Sequence, residues 1–326
     1  MSSFKNKKIL ITGGTGSFGK QMISYLIKRK FGEIIIFSRD EMKQWLLKES
    51  LHNRKDIKFI IGDVRDESRV LHAFKGVDYA IHAAATKIVP TSEKNPEECI
   101  KTNILGALNV IKASVENRVK KVIALSTDKA SSPINLYGAT KLCSDKLFIS
   151  KYYEDLYTKF SVVRYGNVLG SRGSILPFFL SIKKKNLFPL THPEMTRFFL
   201  SLDEAVNFVS FCFNEMTGGE IFIKKLPSIL IKDLIKLISP NAKIKIIGLR
   251  EGEKIHEQMI GVDDSLYTAE FKNHYEILPD MKLKLKKIKY FKGKKVKQNF
   301  FYSSNNTNKI KTSYLSKEIL KIEKNL

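Results

Sequence analysis

Short apolar runs alternate with longer segments of helical periodicity over the first half of the chain, and this alternation limits the possible folds. The runs cover residues 8–12, 33–37, 57–61, 78–83, 121–125 and 160–164. Helical patterns cover residues 18–29, 66–74, 96–117 and 136–153. Strands that are apolar along their whole length and are separated by helices are typical of a parallel sheet covered on both faces. Right-handed crossovers then make the sheet doubly wound, so we predict an α/β fold.

The regular alternation weakens after Asn167, where Pro177, Pro189 and Pro193 interrupt the pattern. A helical pattern over residues 203–216 and an apolar run over 220–223 resume it. We therefore predict a main sheet domain over residues 1–175 with a return segment near 203–225. A smaller α/β lobe is predicted mainly within residues 176–326. It ends in a polar tail from Asn305 that we expect to be loosely held.

The chain carries a formal net charge of +24, from 57 Lys and Arg against 33 Asp and Glu. The lysines are spread along the chain and are densest at Lys183–Lys185 and over residues 282–297. This distribution predicts a solvated lysine surface that favours a polyanionic small ligand, and it does not point to nucleic acid. A membrane span needs about 18 or more consecutive apolar residues, and none is present. Residues 1–8 do not resemble a signal peptide, so we expect a cytoplasmic protein without membrane insertion.

Several single residues are expected to pack rather than react. Cys99, Cys143 and Cys212 lie far apart without metal-ligand spacing, which predicts reduced thiols and no metal site. His82 lies within an apolar run, and Trp45 is the single tryptophan. We interpret both as packing residues.

A glycine-rich turn, TGGTGSFG at residues 12–19, follows the first predicted strand and opens the first helix. Glycine lets the backbone turn tightly and approach a pyrophosphate, and the helix N-terminus offers N–H groups and a positive dipole end. The turn therefore predicts an NAD(P)-binding Rossmann domain. Its predicted cofactor contacts are Thr12, Gly13, Gly16, Ser17, Phe18 and Gly19.

The tips of the next strands suggest which dinucleotide binds. Ser38 and Arg39 stand where an acidic residue would hydrogen-bond a ribose hydroxyl, and an arginine there can pair with a 2′-phosphate. This favours NADP. Asp63 follows the third strand, where it can either accept from the adenine amino group or cap the next helix. Val64 and Ala83 complete the predicted contacts on this side.

Two motifs carry acid–base chemistry. Tyr137 and Lys141 lie at i and i+4 on one predicted helical face, where an ammonium would lower the pKa of the phenol. Thr127, Asp128 and Lys129 end the fifth strand, where ligands of open α/β sheets bind. A plain reductase needs a hydroxyl residue, Tyr and Lys. The extra acid and base on adjacent residues indicate proton transfers beyond hydride transfer.

Longer stretches around these motifs resemble a known family. LSTDKASSPINLYGATKLCSDK at 125–146 is similar to the inverting UDP-N-acetylglucosamine 4,6-dehydratases of pseudaminic acid biosynthesis, which are extended short-chain dehydrogenases/reductases. TKIVPT at 86–91, RYGN at 164–167, MTRF at 195–198 and REGEKIH at 250–256 are similar as well. The resemblance runs from about residue 5 to about residue 280. The lysine-rich segment beyond it matches nothing in that family.

The resemblance implies a reaction. Tyr137 deprotonates the 4-hydroxyl of UDP-N-acetylglucosamine while NADP+ takes the C4 hydride. Lys129 then removes the C5 proton, and Asp128 is the acid for loss of the 6-hydroxyl. Hydride returns to C6 and a proton to the opposite face of C5, giving UDP-2-acetamido-2,6-dideoxy-β-L-arabino-hex-4-ulose. Related retaining enzymes often carry methionine where Tyr137 stands.

Binding residues carry over from the same motifs. Lys87 resembles a contact of both cofactor and substrate, and Val168 resembles a nicotinamide-side contact. The implied substrate contacts are Lys87, Thr91, Lys129, Asn167, Arg197, Arg250 and Glu253. Family members assemble through helices beside the active site, which implies a homo-oligomer.

Three other functions stay open from the sequence. A retaining dehydratase would produce the same change in mass with the opposite C5 configuration. A UDP-sugar 4-epimerase would keep the glycine turn, Thr127, Tyr137 and Lys141 but would not need Asp128 and Lys129 as a pair. An NADP-sensing regulator or nucleic-acid binder on the same scaffold would fit the net charge, but it leaves both acid–base motifs without a role.

Overall fold

The structure is a computed structural model that describes residues 6–154, 157–171 and 173–324. Its first half alternates strands with helices. The elements are β1 (Lys8–Thr12), α1 (Ser17–Ile27), β2 (Glu33–Ser38), α2 (Glu41–Ser50), β3 (Ile57–Ile61), α3 (Glu67–Ala73), β4 (Tyr79–His82), α4 (Val89–Lys94), α5 (Pro96–Ile100), α6 (Gly106–Glu116), β5 (Lys121–Thr127), α7 (Leu136–Ser150) and β6 (Lys159–Tyr165). A π-helical turn at Lys101–Leu105 joins α5 to α6, and a 3₁₀ turn at Asp128–Ala130 follows β5.

The second half mixes shorter elements. They are β7 (Asn167–Val168), α8 (Ile175–Ser181), β8 (Leu187–Leu190), β9 (Thr196–Leu200), α9 (Leu202–Glu215), β10 (Ile221–Lys224), β11 (Ser228–Leu230), α10 (Ile231–Ile238), β12 (Lys243–Ile246), β13 (Gln258–Ile260), β14 (Thr268–Glu270), β15 (His274–Ile277), α11 (Met281–Tyr290), β16 (Lys294–Lys295), β17 (Tyr302–Ser303) and α12 (Thr312–Glu323).

Ten strands of the described chain form one sheet in the order β16-β14-β15-β10-β6-β5-β4-β1-β2-β3. The stretch from β10 to β3 is parallel throughout, whereas β15, β14 and β16 add antiparallel strands at one edge. The chain order reverses between β1 and β4, which opens a crevice at the carboxyl ends of the strands. The predicted doubly wound α/β fold is confirmed.

The smaller lobe has an apolar cluster of its own, separate from the cluster that surrounds the main sheet. α8, α10 and α12 contribute to it, together with β8 and β9. The predicted return segment lies in the main sheet, because β10 pairs with β6. β14 and β15 join that sheet as well, so a stretch assigned to the lobe extends the sheet domain.

Three details differ from the sequence-based predictions. α2 was missed because it is mostly polar; Asp40 caps it by accepting from the Lys43 backbone N–H. Trp45 lies on the outer face of α2 and is 56% exposed, so the prediction that it packs in the interior is wrong. Pro177 does not interrupt a helix, because it stands in the first turn of α8, where a missing N–H breaks no hydrogen bond.

The C-terminal region is more ordered than predicted. The expected loose tail contains α12, whose Leu315 and Ile319 are buried in the smaller core. The lysine-rich segment is only partly a solvated surface, because Lys287 is buried with Nζ 3.0 Å from Glu220 Oε1 and 3.4 Å from Glu276 Oε2. Among the described residues, no helix has both the length and the apolarity needed to cross a bilayer.

Candidate active site

A cavity of about 1030 Å³ runs along the carboxyl ends of the parallel strands and continues under the smaller lobe. This is where open α/β sheets bind their ligands. The cavity brings together most of the predicted site residues. Those that line it are Gly13, Gly16, Ser17, Phe18, Gly19, Ser38, Arg39, Asp63, Val64, Ala83, Lys87, Thr127, Asp128, Lys129, Tyr137, Lys141, Asn167, Val168, Arg197, Arg250 and Glu253.

The glycine turn is shaped by close backbone approaches. Gly13 has φ of +67°, and a Cβ on it would lie 2.9 Å from the Ala84 nitrogen. A Cβ on Gly19 would lie 2.2 Å from the Gly14 oxygen, so any side chain there would clash. α1 starts at this turn without a side-chain cap on Gly16. The turn therefore fits a pyrophosphate held by backbone N–H groups and the helix dipole.

Thr12 lies behind this turn and outside the cavity lining. Its buried hydroxyl accepts from the backbone nitrogens of Ala83 and Ala84 at 3.2 Å and bonds His82 Nδ1 at 2.9 Å. Thr12 therefore ties β1 to the end of β4. His82 is a core residue, as predicted, and burial together with the charge of Lys141 lowers its pKa to about 3.

At the tips of β2 and β3, an exposed Arg39 lies with Nη1 3.7 Å from Asp63 Oδ2. Asp63 also accepts from the Arg65 backbone N–H at 3.0 Å and from its guanidinium at 2.7 Å. Burial acts to raise the pKa of Asp63, but these hydrogen bonds outweigh it and leave the pKa lowered. Asp63 is not a helix cap, because Asp66 caps α3. Ser38 is buried and accepts from Gln44 Nε2 at 3.0 Å.

The acid–base residues meet where β5 ends. The Thr127 hydroxyl donates to Asp128 Oδ1 at 3.0 Å, and Lys129 Nζ lies 3.1 Å from the same oxygen. Asn135 caps α7 by accepting from the Gly138 N–H. This fixed start of the helix brings Tyr137 to the same wall, where its hydroxyl bonds Thr127.

An ammonium does act to lower the pKa of Tyr137, but it is that of Lys129, and the net lowering that the spacing of Tyr137 and Lys141 predicted is not found. Burial raises this pKa to about 12, although the charge of Lys129 and the hydrogen bond with Thr127 act in the other direction. Lys141, one turn further along α7, is also buried, and burial lowers its pKa. Desolvation of the charged forms thus outweighs the local partners of both groups.

Asp128 is almost fully buried, and its Oδ2 has no hydrogen-bond partner among the described residues. Burial and the neighbouring Glu257 raise the pKa of Asp128, although Lys129 opposes the shift. Burial acts to lower the pKa of Lys129, but Asp128 and Glu257 together raise it. Glu257 is a site residue that was not predicted from the sequence. Its position directly after the REGEKIH motif was the available signal.

The predicted substrate contacts Arg197, Arg250, Glu253 and Asn167 line the same cavity. Arg197 is buried and donates to the carbonyls of Thr196, Lys254 and Ile255 at 2.7 to 2.9 Å. Arg250 is exposed, and its Nη2 lies 2.9 Å from Glu253 Oε1. Asn167 is at the wall between them and the sheet, with Oδ1 buried and without a hydrogen-bond partner among the described residues.

Thr91 is the predicted substrate contact that the fold does not bring to the cavity. It lies on the exposed face of α4, outside the lining. Lys87, in the loop that leads to α4, does reach the lining. The geometry therefore supports Lys87 at this wall and gives no support to Thr91.

The chain resembles proteins of known family. The family described as "Polysaccharide biosynthesis protein" matches residues 9–279. A protein of Campylobacter jejuni subsp. jejuni serotype O:23/36 (strain 81-176), named "UDP-N-acetylglucosamine 4,6-dehydratase (inverting)", is 53% identical over 93% of this chain and 94% of its own. A "UDP-glucose 4-epimerase" of Rickettsia bellii (strain RML369-C) is 43% identical over 98% of this chain and 97% of its own.

Solved structures agree on the architecture. Pen from Bacillus thuringiensis has a TM-score of 0.90 at 38% identity and covers 98% of this chain and 99% of its own. DesIV from Streptomyces venezuelae, a dTDP-glucose 4,6-dehydratase, has a TM-score of 0.69 at 20% identity over 76% of this chain and 86% of its own. The DesIV likeness concerns the fold alone. The sequence relatives confirm the resemblance that the motifs predicted.

Proposed function

This chain belongs to the polysaccharide biosynthesis protein family, and from that membership and the cavity we propose that it is an inverting UDP-N-acetylglucosamine 4,6-dehydratase. One observation carries the proposal beyond the family name. The buried Asp128 and the half-buried Lys129 form an acid–base pair beside Tyr137, at the carboxyl end of β5. An oxidation or reduction of the sugar alone would leave this pair unused.

The cofactor we propose is NADP. The turn from Gly13 to Gly19 would hold its pyrophosphate, because close backbone contacts leave no room for a side chain at either glycine. Arg39, exposed beside Asp63, would pair with the 2′-phosphate. A nicotinamide held there would supply the hydride chemistry that the reaction needs at the sugar C4 and C6. Lys141 and Val168 line the part of the cavity that we assign to the nicotinamide end.

The elimination is assigned to the Asp128–Lys129 pair. One proton shared between Asp128 Oδ1 and Lys129 Nζ, 3.1 Å apart, gives either an ion pair or a neutral acid with a neutral amine. Burial of Asp128 favours its neutral form. In the neutral form the amine takes the C5 proton, and the carboxylic acid gives its proton to the departing 6-hydroxyl, which leaves as water. The pair is then ionic. Solvent water gives a proton to the other face of C5, which completes the inversion, and the hydroxide left behind takes back the proton that Tyr137 removed from the 4-hydroxyl.

Tyr137 is the proposed base for the sugar 4-hydroxyl. Its hydrogen bond with Thr127 and the charge of Lys129 both favour the phenolate against the cost of burial. Arg250 and Arg197, which both line the cavity, would supply positive charge for the diphosphate, with Glu253 holding Arg250 in place. Lys87 and Asn167 are proposed sugar-side contacts, and the buried Asn167 Oδ1 is open to a donor from the ligand.

A 4-epimerase is the second candidate, because Rickettsia relatives with that name are 43% identical to this chain. An epimerase inverts C4 and loses no water, so it would leave the Asp128–Lys129 pair without a task.

We also propose, from the sequence resemblance, that the product serves pseudaminic acid-type sugar synthesis and that the protein acts as a homo-oligomer.

Proton NMR of the protein with NADP and UDP-N-acetylglucosamine in D2O tests these assignments. We expect a new C6 methyl signal, deuterium at C5 and an inverted C5 configuration. A methyl signal with C5 retained would make the enzyme a retaining dehydratase. Formation of UDP-N-acetylgalactosamine would make it an epimerase, and an unchanged substrate would refute both functions.

A further inference from the structure

We infer that Glu257 is a positioning residue, the fixed counter-ion that holds Lys129 Nζ over the cavity and sets the pH range in which this lysine acts as a base. The inference rests on the proposed function for what Lys129 does. It goes beyond that function by assigning the positioning of Lys129 to a carboxylate that is remote from it in sequence.

Glu257 contacts Lys129 directly, through a carboxylate that is itself buried. Glu257 Oε1 lies 3.0 Å from Lys129 Nζ, and Asp128 Oδ1 lies 3.1 Å from the same nitrogen. Glu257 is 2% exposed and lines the cavity. Its Oε2 has no hydrogen-bond partner among the described residues. Lys129 is thus clamped between two carboxylates.

The two carboxylates differ in charge state. Burial acts to raise the pKa of Glu257, but Lys129 and Arg197 outweigh burial and lower it. The pKa of Asp128 is raised, chiefly by burial and partly by Glu257 itself. Glu257 therefore stays ionised, and Asp128 is the member of the clamp that can carry a proton. Carboxyl groups whose surroundings move their pKa values apart commonly take different tasks in one site.

Three titratable groups of the described chain surround Lys129 and Glu257 and are consistent with this division of charge. Arg197 Nε lies 3.8 Å from Glu257 Oε1 and balances its charge from the β9 side. Lys254 Nζ donates to the Ser131 carbonyl at 2.8 Å, and its charge acts on both Lys129 and Glu257. Tyr137 faces Lys129 from α7.

Hydrogen bonds fix the backbone around Glu257, and this fixes the position from which its side chain contacts Lys129. Ser304 Oγ accepts from the Glu257 N–H at 3.0 Å, and the Ser304 N–H donates to the Glu257 carbonyl at 2.8 Å. Two residues on, the Met259 carbonyl accepts from the buried Arg164 at 2.8 Å. A neutral Lys129 amine that donates to Glu257 keeps its lone pair for the C5 proton. The ammonium formed by that transfer is stabilised by the same carboxylate.

The test compares Glu257→Gln, Glu257→Asp and Glu276→Gln. Removing the negative charge in Glu257→Gln should shift the rising limb of the kcat–pH profile to lower pH by about one unit or more. It should also lower the plateau kcat by roughly a hundredfold, with a smaller change in KM, because the amine is no longer held in place. Glu257→Asp keeps the charge, so it should keep the position of the limb and recover part of kcat.

Glu276→Gln is the matched control, since Glu276 is a buried carboxylate paired with a buried lysine, Lys287, away from the cavity. It should lower thermal stability without moving the pH limb. If Glu257→Gln behaved the same way, with the limb unchanged, Glu257 would be a structural residue and the inference would be overturned.

A second measurement does not depend on turnover. The rate at which trinitrobenzenesulfonate labels Lys129, followed by peptide mass spectrometry from pH 7 to pH 11, reports the fraction of neutral amine. Glu257→Gln should move the midpoint of labelling to lower pH, and Glu257→Asp should not. An unchanged midpoint overturns the inference. A shifted midpoint in a protein that does not dehydrate UDP-N-acetylglucosamine supports the clamp and refutes the proposed function instead.

Discussion

At the residue scale, the half-buried Lys129 and the buried Lys141, which both line the cavity, have opposite pKa shifts. Both are desolvated, which favours the neutral amine. Lys129 is flanked by Asp128 and Glu257, so its pKa is raised. The carboxylate nearest to Lys141 is Asp145, whose Oδ2 already accepts from Ser126 and Arg164, and burial lowers the pKa of Lys141. Partner carboxylates, more than burial, therefore decide which lysine holds its proton.

Lys129→Ala should abolish the elimination while leaving cofactor binding intact, because the lost amine is the proposed C5 base and lies away from the glycine turn. We expect a fall in turnover of about 10²- to 10⁴-fold, the usual contribution of a general base. Methyl formation and C5 deuteration by NMR check this, with NADP affinity from fluorescence titration. Lys286→Ala, on the exposed face of α11, is the control. Normal turnover in Lys129→Ala would refute the base assignment.

Arg39→Ala should weaken NADP binding by roughly 10- to 100-fold, which corresponds to the loss of one or two charge-assisted hydrogen bonds. NAD binding should change little, since NAD has no 2′-phosphate. Calorimetric titration with both dinucleotides measures the ratio. Arg54→Ala removes an exposed arginine that pairs with Asp56 at 2.7 Å and should leave both affinities unchanged. Equal losses for NAD and NADP in Arg39→Ala would remove the argument for a 2′-phosphate site.

At the scale of the element, two helices were missed from the sequence because each is mostly polar and buries only a narrow stripe of residues. α2 buries only Gln44 and Leu47, and α12 buries only Leu315 and Ile319. In each helix the buried residues are three or four positions apart, which places them on one face. Such a stripe stabilises a helix only when another element covers it. For α12 the cover is the apolar cluster of the smaller lobe.

Leu315→Ala should lower the free energy of unfolding by about 2–5 kcal/mol, because Leu315 is fully buried and its loss leaves a cavity. Leu320→Ala, on the same helix but 58% exposed, should change it by less than about 0.5 kcal/mol. Urea denaturation of both variants measures the difference. Equal small effects would mean that α12 does not pack on the lobe as the structure has it.

At the scale of the whole molecule, the main sheet and the smaller lobe meet along the cavity, and buried titratable groups make global stability depend on pH. His82 is one such group, in the centre of the sheet next to the glycine turn. Its pKa falls from 6.5 to about 3 on folding, because burial penalises the imidazolium and Lys141 repels it. Between these two values the unfolded chain binds a proton at His82 that the folded chain does not.

The contribution of the neutral His82 to the free energy of unfolding is therefore fully present above pH 6.5, and it is lost progressively as the pH falls towards 3. The slope is about 1.4 kcal/mol for each pH unit. His82→Gln cannot titrate, so its unfolding free energy should fall less steeply than that of the natural chain between pH 6 and pH 4. Urea denaturation at several pH values gives both slopes. His72→Gln, exposed near the end of α3, should keep the natural slope. Identical slopes for His82→Gln and the natural chain would contradict the buried neutral state.

The sequence by itself determined the features that depend on short-range geometry. Strand and helix periods predicted the parallel sheet, and the glycine turn after β1 identified the dinucleotide end. Tyr137 and Lys141 share a helical face whatever the rest of the chain does, and Thr127 to Lys129 follow from the end of β5. These residues do meet at one cavity, because the carboxyl ends of parallel strands lie at the same edge of a sheet.

Only the tertiary structure decided what depends on distant neighbours and on exclusion of water. Glu257 reaches Lys129 from a segment remote in sequence, and its position after the REGEKIH motif does not by itself indicate that contact. The pKa of Tyr137 is raised because the phenol is desolvated, and the spacing between Tyr137 and Lys141 carries no information about desolvation. Lys287 became a core residue because Glu220 and Glu276 meet it there. Local geometry is encoded over a few residues, whereas desolvation and ion pairing arise only when remote segments pack together.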